Sequence, residues 1–266
     1  MFIREYDVAV AAAREAGQLL AEGQGRRHAA EAKRAPTDLV TEYDRRSEAF
    51  LVEKLRAAFP GDAILAEEGG LRAGGGGRRW LVDPLDGTVN FAHGLPIFCV
   101  AVALEADGVV EVGAVEAPAL GLSFAARRGA GATVNGRPLA VSDEDSLARA
   151  LLSTGFPYDR QTSPANNFAQ WEAFQRRAQA VRRLGSAALD LALVARGLLD
   201  GYWEMKLKPW DVAAGALLVA EAGGRVTDWR GAPLRVDHGA IVASNARLHA
   251  QLLAVLAETG IPPEAA

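Results

Sequence analysis

The run Trp80-Leu-Val-Asp83-Pro84-Leu85-Asp86-Gly87-Thr88 constrains this chain more than any other stretch. Trp80 to Val82 reads as a strand that enters a proline. Pro84 has no amide hydrogen for a sheet ladder and a fixed φ, so the chain must turn directly after Asp83. Around that turn Asp83 and Asp86 approach a common point, with the Leu85 carbonyl facing the same way. Hard divalent cations take all-oxygen ligands of this kind. Gly87-Thr88 then leads into Val89-Asn-Phe-Ala92, which reads as a short helix whose first amides are unpaired donors suited to a phosphate. Taken alone, Asp-Pro-x-Asp-Gly is equally a good surface turn, because each residue type favours turns for its own reason.

The rest of the chain limits what such a turn can belong to. Helical spacing of apolar residues predicts helices over 4–22 and Thr41–Phe59, the second stopped by Pro60-Gly61. Short β-like runs follow at Ala63–Ala66, Trp80–Val82, Phe98–Leu104, Val109–Val115 and Leu122–Ala126, which suggests an antiparallel sheet. Asp107-Gly108 and Asn135-Gly136 are hairpin signals. After Ser142, β-like runs at Ala150–Ser153, Ala180–Arg183, Tyr202–Met205, Arg225–Asp228 and Ala240–Ser244 alternate with helices near 164–178, 186–199, 209–222 and 246–259. The expected division is 1–145, helices plus an antiparallel sheet carrying most metal ligands, and 146–266, an α/β half carrying Asp211 and a substrate-alcohol pocket. The glycines at 74–77 read as a mobile surface loop that caps a site only if one lies beside it.

Further acidic residues fall where open α/β folds gather active groups, at strand ends and helix starts. Glu67-Glu68 follows the first β-like run, Asp211 opens a helix after Trp210, and Asp44 lies one turn into the second helix. Partners are limited by charge: 29 basic against 33 acidic residues, net −4, with no long basic run, argue against nucleic acid and anionic membranes. Charges at positions 4, 5 and 7 leave no signal-peptide core. The longest apolar run, Leu95–Leu104, is about half the roughly 20 residues that a membrane helix needs. A single cysteine, Cys99, cannot form an intramolecular disulfide, and a cytoplasmic location is the natural reading.

Four runs together carry a specific resemblance: Asp38–Asp44, Ala66-Glu67-Glu68, Trp80–Asn90, and Trp210-Asp211-Val-Ala-Ala-Gly215 with Glu221-Ala-Gly-Gly224. In order and content they resemble the signatures of the inositol monophosphatase family. Arg182–Asp190 and Gly201-Tyr-Trp-Glu204 resemble its bacterial branch. The resemblance implies a layered α-β-α-β-α sandwich, a homodimer, and Mg²⁺-dependent, often lithium-sensitive hydrolysis of a small phosphorylated polyol or sugar by metal-activated water. It assigns Glu67, Asp83 and the Leu85 carbonyl to a first metal and Asp83, Asp86 and Asp211 to a second, with Glu67 and waters holding a weaker third. Thr88 paired with Asp44 would help activate water, and Leu85, Asp86, Gly87 and Thr88 would contact phosphate. Gly185, Ser186, Ala187, Glu204 and Asp211 match positions that contact the alcohol, and Arg182 is added to them. Lys206 departs from the family, where a small residue is common at that place. Phosphate-monoester hydrolysis needs acceleration approaching about 10²¹-fold, which favours two metals working together.

Competing readings are specific too. Glu68 and Lys33 read as solvated, and His93 as a structural hydrogen-bonder rather than a general acid. Cys99 reads as core, because it sits in an apolar strand with no arginine-bearing phosphate loop after it. Trp80 and Trp210 read as packing residues flanking the site. Among activities of the family, inositol monophosphate ranks first and fructose 1,6-bisphosphate second, with Lys206 or Arg182 as the extra basic group that a bisphosphate wants. Aspartyl-phosphate phosphatases space two aspartates by one residue, whereas two intervene here. A non-catalytic interaction protein on the same fold is the remaining alternative.

Overall fold

The computed structural model describes residues 1–33, 35–260 and 262. Helix α1 (Ile3–Ala21) and helix α2 (Glu42–Ala58) flank a small hairpin of β1 (Glu31–Ala32) and β2 (Leu39–Val40). Thr41 starts α2 with a reciprocal cap. Its hydroxyl accepts the Tyr43 amide at 3.1 Å, while the Thr41 amide donates to the Asp44 carboxylate at 2.7 Å.

Eight strands make the first sheet: β3 (Ala63–Ala66), β4 (Gly70–Arg72), β5 (Arg78–Asp86), β6 (Cys99–Ala106), β7 (Val109–Ala117), β8 (Leu122–Arg127), β9 (Ala132–Val134) and β10 (Arg137–Pro138). A short helix, α3 (Thr88–Ala92), follows β5. The spatial order is β10-β9-β8-β7-β6-β5-β3-β4. Asp107-Gly108 and Asn135-Gly136 turn their hairpins with both residues at positive φ, as the mirror-image turns require. One pair departs from the antiparallel expectation: β3 and β5 are parallel. β4 folds back on the outer edge of β3, and the chain returns through 73–77 to start β5 on the inner edge. The glycines at 74–77 therefore lie at the Arg78 end of β5, away from Asp83–Asp86.

The second sheet contains β11 (Leu151–Thr154), β12 (Ala180–Arg182), β13 (Gly201–Glu204), β14 (Arg225–Thr227) and β15 (Ile241–Ser244), ordered β12-β11-β13-β15-β14. Its helices are α4 (Phe168–Gln175), α5 (Ala187–Ala195), α6 (Pro209–Glu221) and α7 (His249–Glu258). Alternation along the strands sorts the layers. Val82, Val100, Val102 and Leu104 pack outward on α1 and α2, whereas Leu81, Cys99, Ala101 and Ala103 pack inward on α5 and α6. The other side of α5 and α6 meets Tyr202, Ile241 and Ala243 of the second sheet, whose far face carries Trp203 and Val242 against α4 and α7. The result is the α-β-α-β-α sandwich, with one apolar layer shared by residues before and after position 145. Each buried leucine or valine in it contributes about 1.5–3 kcal/mol. Among the described residues no helix is long and apolar enough to cross a membrane.

Candidate active site

Asp83 to Thr88 turn where β5 ends, and α2 holds the turn from beneath. The Thr88 hydroxyl donates to Asp44 Oδ1 at 2.8 Å and to the Leu85 carbonyl at 3.0 Å. Ser47 Oγ donates to the Pro84 carbonyl at 2.8 Å. Glu48 accepts the Glu68 amide at 2.7 Å, fixing the turn that presents Glu67 after β3. Gly87 carries φ +94°, and a Cβ there would lie 2.8 Å from the Ile97 carbonyl, so only glycine lets α3 begin at this point.

Four carboxylates converge electrostatically. Burial pushes Asp83 well above the usual carboxylate range, and Glu67, Asp86 and Asp211 raise it further. Burial raises Glu67 to about 7 against the pull of Lys33, which is bonded to Glu67 at 2.8 Å and to Glu68. Asp86 and Asp211 are likewise raised, first by burial. Each carboxylate is steadied by another donor. Asp83 accepts the Leu85 amide at 3.1 Å, Asp211 accepts the Lys208 amide at 2.6 Å, and Asp86 accepts Ser186 Oγ at 2.8 Å and the Ala188 amide at 2.7 Å. Among the described residues no three such side chains are already drawn into a metal cage. Asp86 and Asp211 nevertheless line one lobe and Glu67 and Asp211 the cleft beside it, and an all-oxygen set of this kind is what Mg²⁺ fits.

The cavity beside them has two lobes. The inner lobe, about 110 Å³, is lined by Gly185, Ser186, Ala187, Glu204 and Asp211, with Phe156, Pro157 and Tyr158 as the facing wall. The outer lobe, about 530 Å³, is lined by Gly87, Thr88, His93, Phe156, Tyr158, Arg160 and Arg183. Asp86 and Gly185 border both. Glu204 is raised to about 7 by burial, and the Tyr202 hydroxyl donates to its carboxyl.

This architecture has relatives. The model of the inositol monophosphatase family matches residues 4–260. The chain belongs to the inositol monophosphatase family. It is 46% identical to an inositol-1-monophosphatase of Synechocystis over 84% of this chain and 78% of that protein. It is 42% identical to the Nus factor SuhB of Pseudomonas aeruginosa over 97% of each chain. Among solved structures, the inositol monophosphatase of Anabaena superimposes with a TM-score of 0.88 at 42% identity, covering 98% of this chain and 97% of that one.

Of the expected residues, Asp86, Gly87, Thr88, Gly185, Ser186, Ala187, Glu204 and Asp211 line the two lobes, Glu67 and Asp211 line the cleft beside them, Asp44 and Leu85 sit behind Thr88 as its hydrogen-bond acceptors, and Asp83 is buried at the end of β5. Arg182 is a correction: it sits on edge strand β12 with its side chain exposed, and Arg183, next in sequence, lines both lobes instead. Lys206 also lines the inner lobe, with its ammonium engaged by Asp159 and Ser163. Lys33 and Glu68 are not solvated but ion-paired over the site, each about four-fifths buried. His93 is exposed on the rim and its ring makes no hydrogen bond among the described residues. Cys99 is fully buried as expected, and Trp80 packs on Phe59 while Trp210 borders the cleft beside Lys33 and Glu67. Ser47, Glu48, Tyr158, Arg183 and Tyr202 were absent from the sequence-predicted set.

Proposed function

We propose that the chain is a Mg²⁺-dependent phosphatase that hydrolyses myo-inositol monophosphate to inositol and phosphate, acting as a cytoplasmic homodimer. The observation that carries this reading is the hydrogen bond from Thr88 to buried Asp44, with Thr88 lining the outer lobe beside Asp86, which also borders the lobe of Glu204. Thr88 has one hydroxyl proton; with it directed to Asp44, the shorter of its two contacts, a lone pair is free to accept a hydrogen bond from an attacking water. Burial raises the pKa of Asp44, which stands ready to receive a proton through Thr88. Asp83, Asp86, Asp211, Glu67 and the Leu85 carbonyl would hold two or three Mg²⁺, which when bound neutralise phosphoryl oxygens and lower the pKa of water. Gly87 and Thr88 border the phosphate position, while Gly185, Ser186, Ala187 and Glu204 read the hydroxyls of the alcohol.

A panel of myo-inositol 1-phosphate, fructose 1,6-bisphosphate, histidinol phosphate and adenosine bisphosphate, run with Mg²⁺ and with or without lithium, tests it. The expected outcome is fastest phosphate release from the inositol ester, suppressed by lithium. No release from any of the four overturns the enzymatic reading and favours a non-catalytic interaction role. One observation supports a bisphosphate as the second substrate: Arg160 and Arg183 line the outer lobe, and among the described residues neither has a carboxylate partner in an ion pair. Comparable rates on the inositol ester and the fructose bisphosphate would establish dual activity.

A further inference from the structure

Lys206 lies two residues beyond Glu204 with φ +60°, a region that a lysine enters against its own Cβ and a glycine enters freely. The lysine side chain makes contacts that a glycine would lack. Its Nζ donates to the two Asp159 carboxylate oxygens at 3.1 and 2.8 Å and to Ser163 Oγ at 2.8 Å. Asp159 and Ser163 belong to the loop whose Phe156, Pro157 and Tyr158 form the wall of the inner lobe facing Glu204. At the root of that loop, a Cβ on Gly155 would come within 2.0 Å of the Glu204 carboxylate, so loop and carboxylate are in direct contact. Thr37 adds one more tie, donating to the Tyr158 carbonyl at 3.0 Å.

We propose that Lys206 is a specificity-determining clamp. By tying Asp159 and Ser163 to the turn between β13 and α6, it fixes Tyr158 where the two lobes meet and keeps the inner lobe small. That lobe, at about 110 Å³, falls below the roughly 300–1,000 Å³ usual for ligand pockets. Tyr158 borders both lobes, so its displacement joins the inner lobe to the 530 Å³ outer one and changes which alcohols fit. Lys206 therefore acts as a positioning residue, not as a phosphate ligand. The assignment of the alcohol to this lobe rests on the phosphatase reading; the clamp itself does not.

The test combines Lys206→Ala, Asp159→Ala and their double variant, assayed on myo-inositol 1-phosphate and fructose 1,6-bisphosphate, with hydrogen exchange of the loop amides. A clamp predicts that each single variant raises KM for the monophosphate about twofold to fivefold while kcat changes less, the scale of an ion pair with one half-exposed partner. The double variant should be no worse than either single one, since both break the same contact. Preference should move toward the bisphosphate, and the Arg160, Thr162 and Ser163 amides should exchange faster in all three. Direct recognition of substrate by Lys206 predicts the opposite sign for Asp159→Ala, because the freed ammonium would lower KM. That result, additive penalties, or unchanged loop exchange overturns the clamp. Lys206→Gly relieves the backbone while removing the side chain, so faster loop exchange in that variant cannot be blamed on misfolding. Exchange needs no turnover and so separates failure of the clamp from failure of the phosphatase reading.

Discussion

The two sides of the cleft are built differently. On the phosphoryl side, Asp44, Ser47 and Glu48 project from one face of α2 at helical spacing, and each holds a different part of the site: Thr88, the Pro84 carbonyl and the turn after Glu67. All three are buried. On the alcohol side, the wall is a loop held by side-chain ties from Lys206 and Thr37, with Tyr158 and Asp159 more than half exposed. Chemistry that is common to every substrate is mounted on a helix and a strand end, where positions are reproducible. On the proposed reading, choice of alcohol falls to a loop, where residues can change without disturbing the reaction.

If that division holds, damage on the phosphoryl side should be severe whatever the substrate. Asp83→Asn removes the ligand placed at the centre of the carboxylate set and should cost about 10³-fold or more in kcat, the upper range for loss of one electrostatic group. Retention of more than a few per cent of turnover at saturating Mg²⁺ would show that Asp83 does not hold metal. Glu48 touches no substrate, yet Glu48→Ala should weaken Mg²⁺ binding about 10- to 100-fold, as loss of an outer-shell partner does. Calorimetric titration with Mg²⁺ reads this without turnover. An affinity equal to wild type would mean that the turn carrying Glu67 does not depend on α2, and the contrast between the two sides would weaken.

Those same residues show how far sequence can be read. The hairpins at Asp107-Gly108 and Asn135-Gly136, the alternation that sorts the sheet faces, and the acidic run after Val82 depend on neighbours in sequence, and all were legible. Ser47 and Glu48 carried a signal that was missed: with Asp44, Leu51 and Leu55 they continue the buried stripe of α2, and polar residues in an apolar stripe must find partners. Lys33, Tyr158 and Arg183 carried none. A loop residue reaches the site only through contacts made across the fold, such as Lys33 with Glu67 or Thr37 with Tyr158. Arg182 ends edge strand β12 and Arg183 lies just past it, where the chain leaves the sheet toward Gly185, so the resemblance alone could not choose between them.

A smaller effect distinguishes the two sides by pH. Glu67 and Glu204 are both raised to about 7, yet the proposed function gives them different tasks. As pH falls through 7, Glu67 takes up a proton and competes with metal, so Mg²⁺ affinity should drop by up to about tenfold per pH unit. Protonation of Glu204 over the same range should instead alter KM for the polyol, by about tenfold or less for one charged hydrogen bond. Glu204→Gln is fixed in a neutral form. At saturating Mg²⁺ its KM should therefore stay near the low-pH value of the wild type throughout pH 6–8, while the pH dependence of Mg²⁺ binding persists. If the Glu204→Gln variant also lost the pH dependence of Mg²⁺ affinity, the two carboxyls would have to titrate as one coupled set, and the separation of phosphoryl and alcohol functions would fail at the residue where the lobes meet the metal ligands.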